Sequence, residues 1–378
     1  MSRFAHAVRA LETIVRRRTR GLDAIGAAFA LAVVVLALGG VTALGGGCGP
    51  KGGAGSDSTR AAATAAAASI KVGLVFDVGG RGDQSFNDAA YAGLERAMAE
   101  LGIPKENVEY IEPGEGGDRE SALRQLANGP YDVIFGIGFL FSDDVLAVAK
   151  DFPAKKFACV DMNLPEGGLL PANVVALKFR EEEGSYLVGA LSALVSKTHK
   201  LGFVGGMQIP LIKKFETGYV AGAHKIDPQT SVDVKYAGVD GSAFKNPTKG
   251  KELALAIYNG GADIIYHASG STGLGVFEAA REKEKLAIGV DSDQESAMPG
   301  HLLTSMIKRV DVAVFNTIKD TKDGTFPGGQ AHEFGLKDGG VDYVYDDKNK
   351  ALIPDDVHAR VEALRAEIVS GAIVVPSE

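Results

Sequence analysis

From Ile70 onward, short apolar runs alternate with longer amphipathic stretches, and the alternation begins afresh at Leu201. No other feature limits the possible folds as much. Lys71-Val72-Gly73-Leu74-Val75-Phe76 reads as a buried parallel strand. A helix is expected after it, with Asn87 or Asp88 as N-cap, Ala90, Leu94, Ala97, Met98 and Leu101 along one face, and Gly102 as its stop. Further strands are expected at 107–111, 131–136, 155–160 and 173–178, then at 201–204, 232–237, 262–267, 286–290 and 302–307. Helices fill the gaps near 119–128, 141–151, 181–197, 211–225, 247–259, 273–284, 310–322 and 355–371. Such alternation predicts an α/β protein with two doubly wound parallel-sheet lobes joined by several crossovers. The expected lobes are residues 70–197 with 302–323, and 200–300 with 325–378.

Composition allows this. A chain of 378 residues that is 46% hydrophobic and 23% charged can bury two cores, and 49 glycines suit many tight strand–helix turns. The formal net charge of −8 gives no support for nucleic-acid binding, which rests on basic surface. Two cysteines, Cys48 and Cys159, cannot build a disulfide framework or a four-ligand zinc site.

The N-terminal segment differs from the body. Six arginines against Glu12 and Asp23 set residues 1–48 at +4, and no charge occurs between Asp23 and Lys51. Basic residues, then the apolar stretch Ala24 to Leu44, then small residues describe an export signal over 1–47. A retained membrane anchor is the alternative, since the stretch is about as long as a bilayer requires. Leu44-Gly45-Gly46-Gly47-Cys48 resembles a bacterial lipobox, with Gly45 where a Leu-like residue is usual. Cys48 is the expected lipidation site, and the Gly-, Ala-, Ser- and Thr-rich stretch 48–69 the flexible tether.

Ligands of doubly wound sheets sit beyond the carboxyl ends of the strands, so the residues that follow each strand are the candidates. After the first strand comes Asp77-Val78-Gly79-Gly80-Arg81-Gly82-Asp83-Gln84-Ser85-Phe86-Asn87-Asp88, whose glycines do not match the dinucleotide fingerprint. Later strand ends offer Gly136-Ile137-Gly138-Phe139, Asp161-Met162-Asn163, Gly205-Gly206, His267-Ala268-Ser269-Gly270 and Asp291-Ser292-Asp293. Phe215 lies early on a helix, and Lys308 follows the strand at 302–307. Taken singly, each has a plainer role. A phenylalanine at a helix start is usually core, an aspartate a cap, a lysine a solvated charge and His267 a satisfied strand-end histidine. Their convergence on one rim of two sheets favours a binding site. No H-E-x-x-H, P-loop or G-x-S-x-G motif occurs, so neither an enzyme, a metal site nor a cofactor is expected.

Four stretches resemble the basic membrane protein (BMP) family, the purine nucleoside receptor type of ABC transporter substrate-binding lipoprotein. They are Gly82 to Asp88, Gly205 to Glu216, Gly289 to Gln294 and Thr304 to Val310. The motif order holds from residue 70 to about 345, and Ala268 to Phe277 resembles the family's glycine-rich turn, with Ser271 where Gly is common. The resemblance implies a type I periplasmic-binding-protein fold that holds a purine nucleoside (guanosine, adenosine or inosine) between two lobes and passes it to an ABC permease. By motif position it implies that Phe86 and Phe215 sandwich the purine, that Asn87 and Asp161 bond the base, and that Asp291 takes the ribose hydroxyls with Lys308 and Gly270 nearby. The signal, Cys48 and the tether together imply a body anchored by lipid to the cell membrane and facing the periplasm or the cell exterior. A sugar or signal sensor of the same fold, without transport, stays open as the alternative.

Overall fold

The structure, a computed structural model, describes residues 69–114 and 118–378; the expected export signal, Cys48 and all but the last residue of the tether lie outside the described residues. Strands β1 (Val72–Val75), β2 (Val108–Ile111), β3 (Val133–Ile137), β4 (Lys156–Val160) and β5 (Val174–Phe179) form the first parallel sheet. In the second, β6 (Lys200–Met207), β7 (Ser231–Gly238), β8 (Ile264–Ala268), β9 (Leu286–Asp291) and β10 (Leu302–Lys308) take equivalent places. The spatial order is β2-β1-β3-β4-β5 in one and β7-β6-β8-β9-β10 in the other. Central β1 pairs with both β2 and β3 in a sheet covered on both faces, and all four of its residues are buried, as its uninterruptedly apolar sequence requires.

Each sheet gains a sixth strand that the sequence reading does not anticipate. Strand β11 (Gln330–Phe334) extends the first sheet in parallel beside β5, and β12 (Val341–Tyr343) runs antiparallel beside β10. Both are short, and β11 is polar, since an edge strand has one side open to water.

Helices α1 (Phe86–Leu101), α2 (Arg119–Asn128), α3 (Ser142–Asp151), α4 (Glu181–Val195), α5 (Pro210–Ile226), α6 (Pro247–Asn259), α7 (Gly273–Glu282), α8 (Val310–Asp323) and α9 (Asp355–Val369) cover the sheets. Helices α2 and α3 enclose one core on the outer face of the first sheet, and α6 and α7 another on the second. A larger core, continuous across both lobes, runs through α1, α4, α5 and α8.

The expected division into 70–197 with 302–323 and 200–300 with 325–378 needs correction at three places. Helix α4 follows β5 of the first sheet yet packs on α5, β10 and β12 of the second lobe. Strand β10 belongs to the second sheet, and β11 returns to the first. The following helix, α8, packs on α1 of the first lobe. The chain therefore crosses between lobes at Arg180, at Arg309 and over 335–340. Sequence order alone keeps a helix with its preceding strand, and here two helices are exchanged. Both dock backbone to backbone: a Cβ on Gly93 of α1 would lie 2.4 Å from the Asp311 carbonyl oxygen of α8, and one on Gly189 of α4 would lie 2.1 Å from that of Tyr219 on α5.

Candidate functional site

A cleft between the lobes opens at the carboxyl ends of both sheets, where the topology of such sheets gathers loops and helix N-termini. All seven residues singled out from the sequence line it: Phe86, Asn87 and Asp161 from the first lobe, and Phe215, Gly270, Asp291 and Lys308 from the second.

The first-lobe wall begins with the loop after β1. The helix starts at Phe86, one residue before Asn87, and neither Asn87 nor Asp88 is its N-cap. Asp83 does the capping instead. Its carboxylate accepts from the backbone N–H groups of Ser85 (2.9 Å), Asn87 (2.9 Å) and Asp88 (3.1 Å), and from Asn87 Nδ2 (3.0 Å). Asn87 Oδ1 in turn accepts from the Asp77 N–H at 2.9 Å. Asn87 thus braces the loop with both side-chain polar atoms and retains one N–H for a ligand. Burial pushes the Asp77 carboxyl up to about 7, against the hydrogen bond from the Val78 N–H.

Asp161 follows β4, and Asp291 ends β9, the equivalent strand of the second lobe. Both hold left-handed backbones, with φ 59° and 66°, which turns their carboxylates into the cleft. Their partners differ. Asp161 Oδ2 accepts from Lys308 Nζ at 2.6 Å, and the same ammonium lies 3.0 Å from Glu181 Oε1. Glu181 also meets Lys214 Nζ at 2.8 Å, so a buried chain of alternating charges runs past two of the three crossings. Lys308 is 2% exposed. Burial would lower its pKa, but Asp161 and Glu181 hold it above the ordinary lysine value. Burial pushes Asp161 up, with Lys308 pulling it back, and Asp161 Oδ1 is a buried acceptor with no hydrogen-bond partner among the described residues.

Asp291 has a hydroxyl where Asp161 has an ammonium: Ser85 Oγ donates to Asp291 Oδ2 at 2.5 Å from across the cleft. Burial raises the Asp291 carboxyl to about 7, more than Lys308 and Ser85 offset. Behind it, His267 is wholly buried, with Nε2 3.2 Å from Gln294 Oε1, which also accepts from the Val290 N–H. Burial lowers His267 to about 4, so the ring is a neutral brace between the β8 and β9 ends and not a ligand-facing acid.

Aromatic side chains form the remaining wall. Phe86 and Phe215 flank Lys308, whose Nζ lies 5.3 Å and 5.6 Å from their ring centroids. Phe139, in the turn after β3, and Phe244, in the turn after β7, meet across the cleft at 6.1 Å with rings inclined at 65°. Phe139 lies on a strand end that the sequence flagged. Phe244 is not among the sequence candidates, because the loop after β7, like those after β2 and β5, is a strand end that the sequence reading passes over. The same carboxyl-end rule would have found it.

The chain matches the Bmp family, described as ABC transporter substrate-binding protein PnrA-like, over residues 70–378. It is 36% identical over 368 residues to the CD4+ T-cell-stimulating antigen of Listeria innocua, covering 93% of this chain and 98% of that protein. It is 35% identical over 327 residues to the ABC transporter nucleoside-binding protein BmpA of Lactococcus lactis, covering 82% and 90% respectively. A solute-binding protein of an ABC transporter system from Aeropyrum pernix superposes with a TM-score of 0.73 at 32% identity, over 82% of this chain and 94% of that one. A second, from Conexibacter woesei, gives 0.66 at 25%, over 82% and 99%. The fold is that of the type I periplasmic-binding proteins. With this agreement along the whole body, the chain belongs to the PnrA-like family of ABC transporter substrate-binding proteins.

Proposed function

We propose that this protein captures a purine nucleoside between its two lobes and delivers it to the permease of an ABC importer. One observation carries the reading. Two buried aspartates at equivalent strand ends face one cleft walled by phenylalanines from both lobes, and the single lysine lining it among the described residues is already paired with carboxylates. A purine offers two π-faces, and each ring stacked on one gains about 1–3 kcal/mol. A ribose offers adjacent hydroxyl donors, which one carboxylate accepts together through charge-assisted bonds. Phe86 and Phe215 take the base faces, Asp161 and Asn87 the base edge, and Asp291 the ribose, with Gly270 and Lys308 beside it. A nucleotide is disfavoured, because its phosphate would enter a cleft lined by Asp83, Asp161 and Asp291 with Lys308 already engaged. The BmpA relative, named a nucleoside-binding protein, points the same way.

Calorimetry with guanosine, adenosine, inosine, deoxyguanosine and free ribose tests the assignment. Tight binding of ribose alone would favour the sugar sensor, and no binding of any purine nucleoside would end the nucleoside reading. The lobes close around the ligand by bending at the crossings, on about a microsecond to millisecond timescale. Small-angle scattering should then show a more compact body in saturating guanosine. Cys48 carries the lipid that holds the protein at the outside of the membrane. Mass spectrometry of the mature N-terminus should find a lipidated Cys48, and an intact Ala24–Leu44 segment would contradict it.

A further inference from the structure

We propose that Ser85 is a positioning residue that fixes Asp291 across the cleft, a bond that draws the ligand-free lobes together for part of the time and that ligand capture completes. Ser85 occupies the N-cap position of α1, where a serine hydroxyl ordinarily bonds the first amides of its own helix. Here it makes no such bond, because Asp83 has taken those amides. The hydroxyl is released and turned to the other lobe. It is wholly buried, 2.5 Å from Asp291 Oδ2 and 3.4 Å from the Val290 carbonyl oxygen. Ser292 Oγ returns the contact by donating to the Ser85 carbonyl oxygen at 3.3 Å.

Among the described residues, the hydrogen bond to the Asp291 carboxylate comes from Ser85. A carboxylate has about four acceptor positions, so this bond leaves room for ligand hydroxyls on the same group. Asp291 then joins the ligand to the first lobe through Ser85, and the aspartate is oriented only when the lobes meet. The inference rests on the nucleoside reading solely in that Asp291 faces the ligand.

Ser85→Ala removes the hydroxyl and keeps the backbone amide that Asp83 accepts, so the start of α1 is preserved. Guanosine should dissociate from this variant about tenfold to a hundredfold faster than from wild type in stopped-flow release, the range for losing a bond to a charged group. Ligand-free scattering should report a larger radius of gyration for the variant, while thermal melting reports that it is folded. Ser292→Ala, which loses only the longer return contact, should shift both readouts less. Equal guanosine release from Ser85→Ala and wild type, together with superimposable ligand-free scattering, would overturn the proposal. Failure of the nucleoside reading looks different: wild type binds no guanosine, while the scattering difference between Ser85→Ala and wild type persists.

Discussion

The two lobes share a strand order and present an aspartate at the same place, both pushed up by burial, yet those aspartates have different hydrogen-bond partners. Asp161 of the first lobe is paired with the Lys308 ammonium of the second, and Asp291 of the second is bonded to the Ser85 hydroxyl of the first. Each lobe completes the other's carboxylate. A cation holds Asp161 in place, with Oδ1 left as a fixed acceptor; a hydroxyl leaves Asp291 titrating near neutrality. Equivalent positions in a duplicated architecture thus take different tasks according to what the facing lobe supplies.

The largest expected effect comes from removing the cation that makes the lobes different. Lys308→Met leaves Asp161 and Glu181 buried without it, and should cost about 3–5 kcal/mol of stability in chemical denaturation. A loss under about 1 kcal/mol would show that the pair is solvated and the contrast between the aspartates shallow.

Next come the aromatics. Phe86→Ala and Phe215→Ala should each weaken guanosine binding by about 1–3 kcal/mol, a roughly tenfold to hundredfold loss in calorimetry. Phe215 is 3% exposed and part of the large core, so its variant should also melt at lower temperature, whereas half-buried Phe86 should cost less stability. Lower melting with unchanged affinity would reassign either ring to the core.

Asp291→Asn sharpens the comparison at the ribose. It should weaken guanosine by about tenfold and deoxyguanosine by less, since the deoxy sugar lacks one of the two donors. An equal loss for both would move the hydroxyl contact away from Asp291.

Titration probes the same contrast without a substitution. Asp77 and Asp291 are both pushed by burial to about 7, above the unfolded value of about 4. Their protonated forms stabilise the fold, a contribution complete below about pH 4 and lost as pH rises through about 7. Melting of the ligand-free protein should therefore fall between about pH 5 and 8. Guanosine affinity should rise over the same interval as Asp291 ionises, with Lys308 supporting and Asp161 and Asp83 opposing the charge. Asp291→Asn should flatten the affinity profile.

The chain itself dictates eight of its ten main strands most firmly, because each is buried along nearly its whole length and such an apolar run has few other uses, whereas β2 and β7, at the sheet edges, are only partly buried. It also dictates which loops reach the cleft, since parallel strands deliver all their carboxyl ends to one rim: Asp161, Gly270, Asp291 and Lys308 can be picked out on that ground. The edge strands β11 and β12 are invisible to the same logic, β11 because it is polar and largely exposed and β12 because it is only three residues long. So is the exchange of α4 and α8 between lobes, which depends on Gly93 and Gly189 meeting backbone far away in sequence. Tertiary structure alone decided the partners. Nothing local to Ser85 says that its hydroxyl will meet Asp291, 206 residues away, and nothing local to Lys308 says that Asp161, 147 residues away, will meet it. Periodicity encodes burial, which is local; the charge state of a buried group depends on what the opposite lobe brings to it.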